Sequence, residues 1–219
     1  MTTTTPTSEP GVRQAVPDDA QALSTFLSHI YLSTYAPHFG AENIARHFQP
    51  LLTVENMLKT IESLDQTVHL AIAAPDAVPP SGPIVGLIQT REEAIPTQYL
   101  FPASLEALGP VADGTGAGAT APDKAGAYAY VARLYVHEIA HGTGLARTLL
   151  ALAEGKVVEL GYRRIWLKVL GSNLRAVRFY EKSAYALVGE QVVTEKDEDE
   201  GGHWAPRRDL VMVKRLGSA

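Results

Sequence analysis

The sequence predicts a single α/β domain built on a mixed sheet. Three observations lead there. Seven short apolar runs have strand length, four stretches repeat apolar residues every three to four positions, and the chain interleaves the two kinds. Val12–Val16 reads as a first strand, with Pro17-Asp18-Asp19 opening a helix whose apolar positions are Leu23, Phe26, Leu27 and Ile30. A second helical pattern runs near Thr53–Leu64, with Val54, Met57, Leu58, Ile61 and Leu64 on one side and Thr53 as start signal. Val68–Ala74 and Ile84–Thr90 read as a hairpin around the turn-forming P-D-A-V-P-P-S-G-P. Residues 102–126, rich in Gly, Ala and Pro, read as a flexible insertion. Tyr128–Val136 is the fourth strand. The helix after it directs Leu145, Leu149, Leu152, Ala153, Val157 and Leu160 inward and stops at Gly161. Arg164–Leu170 is a strand, Asn173–Lys182 a helix, and Leu187–Val193 and Asp209–Lys214 the last strands, joined by the acidic E-K-D-E-D-E-G-G.

Bulk composition narrows the function classes. The chain has 219 residues, enough to bury one full core but cramped for two. Its formal net charge of −5 gives no electrostatic reason to expect nucleic acid or an anionic membrane as partner. Having no cysteine, it has neither disulfides nor thiolate catalysis. Residues 1–11 lack the basic and apolar regions of a secretory signal and are expected to be a disordered tail. No apolar run has the length of a membrane span, so the cytoplasm is the expected location.

The most informative stretch is V-A-R-L-Y-V-H-E-I-A-H-G-T-G-L-A, Val131–Ala146. A strand runs into a glycine-bracketed turn that opens a helix, so backbone N–H groups and the positive end of the helix dipole meet at one spot. That is a socket for phosphate. Two nucleotide codes fail here. A dinucleotide fingerprint needs glycine where Arg147 stands, and a P-loop ending in Gly155-Lys156 needs glycine at Leu150. What remains, His141-Gly142-Thr143-Gly144-Leu145-Ala146, resembles the [R/Q]-x-x-G-x-[G/A] loop of the GCN5-related N-acetyltransferases (GNAT). About 30 residues on, N-L-R-A-V-R-F-Y-E-K-S-A-Y, Asn173–Tyr185, is similar to that family's other signature segment. The resemblance covers residues 12–216. Within the family, S-T-Y-A-P-H-F-G-A-E-N-I, I-W-L-K-V-L and D-L-V-M-V-K are similar to the bacterial spermine/spermidine N-acetyltransferases.

The resemblance implies a mostly antiparallel sheet of about seven strands, splayed between the fourth and fifth and flanked by four helices. It also implies transfer of acetyl from acetyl-CoA to a primary amine of a small molecule, with polyamines among the options. Backbone groups of Leu134, Tyr135 and Val136 would pair with the pantetheine arm, and the loop from His141 through Gly142, Thr143, Gly144, Leu145 and Ala146 to Arg147 would hold the pyrophosphate. Asn173 would cap its helix or bond the arm, and both roles can coexist. Tyr180 would protonate the departing thiolate, since a phenol pKa of about 10 exceeds that of the thiol. Tyr31, Tyr35 and Glu92 are candidate acceptor contacts, in a wall that also holds His38, Phe39 and His47. Glu92, Glu93, Glu138 or a water chain could serve as base. No metal is expected, because lone histidines such as His38 and His47, without a partner at ligand spacing, are poor evidence for one. The assembly would be a monomer or homodimer.

Two residues depart from the family pattern. His141 replaces Arg or Gln, which should weaken cofactor binding without abolishing it. Ala184 replaces a glycine; a left-handed alanine costs on the order of 1 kcal/mol, which leaves that turn open to remodelling. The other reading of the same features is a non-catalytic acyl-CoA sensor.

Overall fold

In the computed structural model, residues 10–79, 81–108, 127–193 and 207–217 are described. Most of the predicted tail, residues 109–126 of the predicted insertion and the acidic segment after Val193 lie outside them. Seven strands follow one another as β1 (Gly11–Gln14), β2 (Gln66–Ile72), β3 (Ile84–Glu92), β4 (Ala129–Val136), β5 (Arg164–Leu170), β6 (Ala186–Val193) and β7 (Arg207–Arg215). Their order in the sheet is β1-β2-β3-β4-β5-β7-β6. The helices are α1 (Ala20–Phe39), α2 (Ala41–Phe48), α3 (Val54–Glu62), α4 (Pro102–Leu108), α5 (Leu145–Glu159) and α6 (Leu174–Lys182). No described helix is long and apolar enough to cross a membrane.

Among the described residues six helices thus stand where four were expected. The first runs on from Ile30 to Phe39, and its C-cap Gly40, at φ +82°, donates to Ala36 O. α2 buries only Ile44, so it leaves no apolar period to read; an Arg46–Glu42 pair one turn apart supports its exposed face instead. α4 occupies the start of the stretch read as an insertion.

The chain divides into two compact units, residues 1–88 with 134–149, and 89–133 with 150–219. In the first, β1 pairs antiparallel with β2, Gly11 opposite Ile72. Asp19 fastens the turn from β1 into α1: Arg13 donates two hydrogen bonds of 2.7 Å to its carboxylate, and Val16 N–H a third of 2.8 Å. α3 starts as expected, with Asn56 N–H donating to Thr53 Oγ1. β3 is buried from Ile84 to Thr90. A Cβ on its Gly86 would lie 2.9 Å from Leu149 Cδ1 and 3.1 Å from Leu145 Cδ2, so the missing side chain lets the first turn of α5 seat on the strand.

In the second unit, β5 pairs antiparallel with β7 along its whole length, Arg164 opposite Arg215 to Leu170 opposite Asp209. Trp166, fully buried, donates from its indole N–H to Glu93 O at 2.7 Å amid Ile95, Tyr128, Tyr130 and Val211. β6 carries a register shift between Leu187 and Gly189. There Tyr99 O would sit 1.9 Å from a Cβ on Gly189, so only glycine lets the 99–101 segment bridge to β6. Among the described residues the parallel β4–β5 ladder has three pairs and ends at Val131 opposite Leu167. β4 continues to Val136 and β5 to Leu170, as expected of strands that splay.

Two expected inward residues of α5 face outward: Leu152 is 39% and Leu160 50% exposed, while Leu150 is buried. Leu145, Leu149, Ala153 and Val157 follow the i+4 row; Leu152 falls at its edge, and Leu160 lies past the last helical residue. Gly161 does end the helix, at φ +91°, with Gly161 N–H donating to Val158 O and Tyr162 N–H to Val157 O.

Candidate functional site

The glycine turn belongs to the first unit. Gly142 at φ +79° and Gly144 at φ +89° adopt the left-handed backbone that glycine takes without strain, so the chain reverses there and enters α5 at Leu145. Thr143 Oγ1 braces the turn, donating to Ala140 O at 2.8 Å and accepting from Leu145 N–H. The N–H groups of Gly142, Thr143, Gly144 and Ala146 have no acceptor among the described residues. Residues 141–144 are exposed, as is Arg147 in the first turn. N–H groups left without a partner at a helix start are donors of the kind an anion accepts from.

His141 takes a different part from the one its family counterpart suggests. Its Nε2 lies 3.0 Å from Val136 O, and since a carbonyl only accepts, the imidazole N–H donates there. The side chain therefore ties the turn back to the end of β4. Just before that end, Leu134, Tyr135 and Val136 are half-buried. The Tyr135 hydroxyl is 3.1 Å from that of Tyr35, and its ring meets those of Tyr31 and Tyr35 edge-on at 5.6 and 6.5 Å. Phe48 lies 4.5 Å from Tyr31 and Phe39 6.4 Å from Tyr35. The predicted acceptor residues Tyr31 and Tyr35 thus join a predicted cofactor residue in one aromatic cluster. Burial, and then the neighbouring Tyr31 and Tyr35, push the Tyr135 hydroxyl well above its ordinary pKa, so it stays a neutral phenol.

The second unit carries the rest. Asn173 Oδ1 accepts from Ala176 N–H at 3.2 Å, so Asn173 caps α6, one of its two expected roles. Tyr180 is 7% exposed, its ring edge-on to Phe179 at 5.2 Å and Tyr185 at 5.6 Å. Tyr185 is itself held: its hydroxyl donates to Glu154, which also takes a 2.6 Å bond from Lys214. Burial, and then Glu154, raise the Tyr185 hydroxyl far above the usual range. Ala184 keeps the left-handed turn, at φ +66°; the glycine-to-alanine change has not remodelled it.

Each candidate base is already engaged. Glu92 accepts from the Tyr162 hydroxyl, Glu93 from Arg91, and Glu138 lies 3.2 Å from His29 Nε2. The His29 contact is one that spacing along the chain could not reveal, because the partners are 109 residues apart. His137 joins them, stacked on His29 with ring centroids 4.7 Å apart.

Residues 99–185 match the acetyltransferase (GNAT) family, a span that runs through the glycine turn and ends on Tyr185. That segment, less than half of the chain, is similar to GNAT acetyltransferases. The chain also matches uncharacterised N-acetyltransferases of Mycobacterium tuberculosis and Mycobacterium bovis, 33% identical over 86 residues, 39% of this chain. That match spans about half, 51%, of each relative's length. Solved structures share the GNAT fold over 95% of the chain. PaiA N-acetyltransferase from Thermoplasma acidophilum, in complex with coenzyme A, has a TM-score of 0.63 at 19% identity and is covered completely. A GNAT acetyltransferase from Streptococcus pneumoniae gives 0.59 at 22% identity, also covered completely. NAA60 from Arabidopsis thaliana, in complex with acetyl-CoA, gives 0.60 at 16% identity, with 99% of it covered.

Proposed function

We propose that this chain moves an acetyl group from acetyl-CoA to a primary amine of a small molecule by direct attack on the thioester. The observation that carries the reading is the set of N–H groups of Gly142, Thr143, Gly144 and Ala146, left without an acceptor among the described residues and suited to a diphosphate at a helix start within the GNAT-like segment. Backbone groups of Leu134, Tyr135 and Val136 pair with the pantetheine arm as an added strand would. An N–H there stabilises the oxyanion. His141 acts through Val136 O and the shape of the turn, and Arg147 adds charge for the phosphates. Asn173 adds a bond to the arm from the start of α6.

In the reaction the amine nitrogen bonds to the carbonyl carbon, the C–S bond breaks, and the thiolate takes the Tyr180 proton. The ammonium acceptor gives up one proton to water or a carboxylate before it attacks, and the proton the nitrogen sheds on becoming an amide restores Tyr180. Tyr31 and Tyr35 offer the acceptor an aromatic wall carrying hydroxyls, suited to an alkyl amine, polyamines included. Glu92 stands by as a further acceptor contact. We place the enzyme in the cytoplasm, as monomer or homodimer, with neither nucleic acid nor membrane as partner.

Release of free thiol from acetyl-CoA, followed with a panel of amines, tests the reading. Tyr180→Phe should lower kcat ten-fold or more while leaving cofactor binding intact. The engagement of Glu92, Glu93 and Glu138 favours a second reading, an acyl-CoA sensor without catalysis. Cofactor binding with no thiol release for any amine would select it.

A further inference from the structure

His29 on α1, and His137 and Glu138 just past β4, bring their ligand atoms within 4.8 Å of one another. We propose that these three side chains bind a divalent transition-metal cation of the zinc and cobalt class. The site lies within the first unit and does not depend on the acetyltransfer reading.

Two of the three separations already match those of donors to one ion. Glu138 Oε2 is 3.2 Å from His29 Nε2 and 3.4 Å from His137 Nδ1. Ligands of a tetrahedral zinc site, with bonds of about 2.0–2.1 Å, stand roughly 3.3 Å apart.

The tautomer of His137 points the same way. Ile139 N–H donates to Nδ1 at 3.3 Å, so that nitrogen carries a lone pair. Nε2 then bears the proton and meets Ser81 Oγ at 3.0 Å. Glu138 Oε2 lies 3.4 Å from that same nitrogen, so a cation taken up there replaces the Ile139 N–H on the lone pair and is shared with the carboxylate. Fixing one imidazole nitrogen by a hydrogen bond so that the other can ligate is the usual support of a metal-bound histidine.

Two imidazoles and one carboxylate suit zinc, cobalt, nickel or copper rather than magnesium or calcium, which prefer all-oxygen sets. The side chains of Glu138, 54% exposed, and His29, 34%, leave a way in for the ion and a position for water.

His137 is the fixed member, at 3% exposure. His29 must move: its ring lies 5° from parallel with that of His137, and a lone pair in a parallel plane does not meet the same ion. Binding accordingly swings the His29 ring and replaces its bond to Glu138 with bonds from both to the metal.

The test uses the full chain, free of any affinity tag and stripped with a chelator. Cobalt(II) is titrated by visible absorption and zinc(II) by calorimetry. One ion per chain is expected, with the absorption of low-coordinate cobalt. His29→Ala and Glu138→Gln should each weaken binding at least ten-fold, while His38→Ala, at an exposed histidine on the same helix, leaves it unchanged. His29→Gln, which keeps the polar volume, repeats the first loss with folding checked by circular dichroism. Absence of saturable binding, or binding that survives both His29→Gln and Glu138→Gln, overturns the proposal.

Discussion

At Ala184 the chain holds a left-handed turn, φ +66°, where the family pattern has glycine. Tyr185 N–H donates to Tyr180 O across that turn, and Tyr185 is anchored to Glu154, so its surroundings over-determine the conformation. Ala184→Gly relieves the strain while loosening the unfolded chain; the first effect is the larger, and a gain of about 0.5–1 kcal/mol is expected by urea denaturation. A loss of stability would mean that the turn carries no strain. The departure at Ala184 was legible in the sequence, but its outcome was not, because the aromatic and ionic contacts that enforce it come from residues distant in the chain. His141 is a similar case. Its type was plain from the motif, whereas its bond to Val136 O depends on how the turn folds back on β4.

At the scale of elements, the junction of β1 and α1 hangs on Asp19. Its hydrogen bonds with Arg13, aided by Val16 N–H and partly opposed by burial, hold the carboxyl below its ordinary 3.8. A depressed folded pKa contributes stability above the unfolded value and loses it as pH falls through the folded one. In Asp19→Asn the difference from wild type should be constant above about pH 5 and shrink below it, as read from denaturation at a series of pH values. A pH-independent difference would remove the electrostatic account. The strands from β2 to β7 were legible because each holds a bounded apolar run, and α1, α3, α5 and α6 because their periodicity is clear at least in part. α2 was hidden by having a single buried residue, and α4 by the Gly/Ala/Pro-rich stretch that contains it.

For the whole molecule, coenzyme A at a hundred times its Kd should stabilise the native chain by about 2.7 kcal/mol. In a thermal melt that amounts to about 5–10 °C for a protein of this size. An unmoved transition at saturating ligand would sink the proposed cofactor site. The glycine turn and the α6 segment were readable because each is a contiguous motif. The meeting of His29 with Glu138, or of Tyr35 with Tyr135, was not, because it arises only when elements a hundred residues apart pack together. The tyrosine cluster has a further, optical consequence. Of the nine tyrosines, Tyr135 and Tyr185 have hydroxyls that resist ionisation. Raising the base concentration should therefore develop the phenolate ultraviolet band in two stages, the last chromophores appearing only when alkali unfolds the chain, and that late step should be absent in urea.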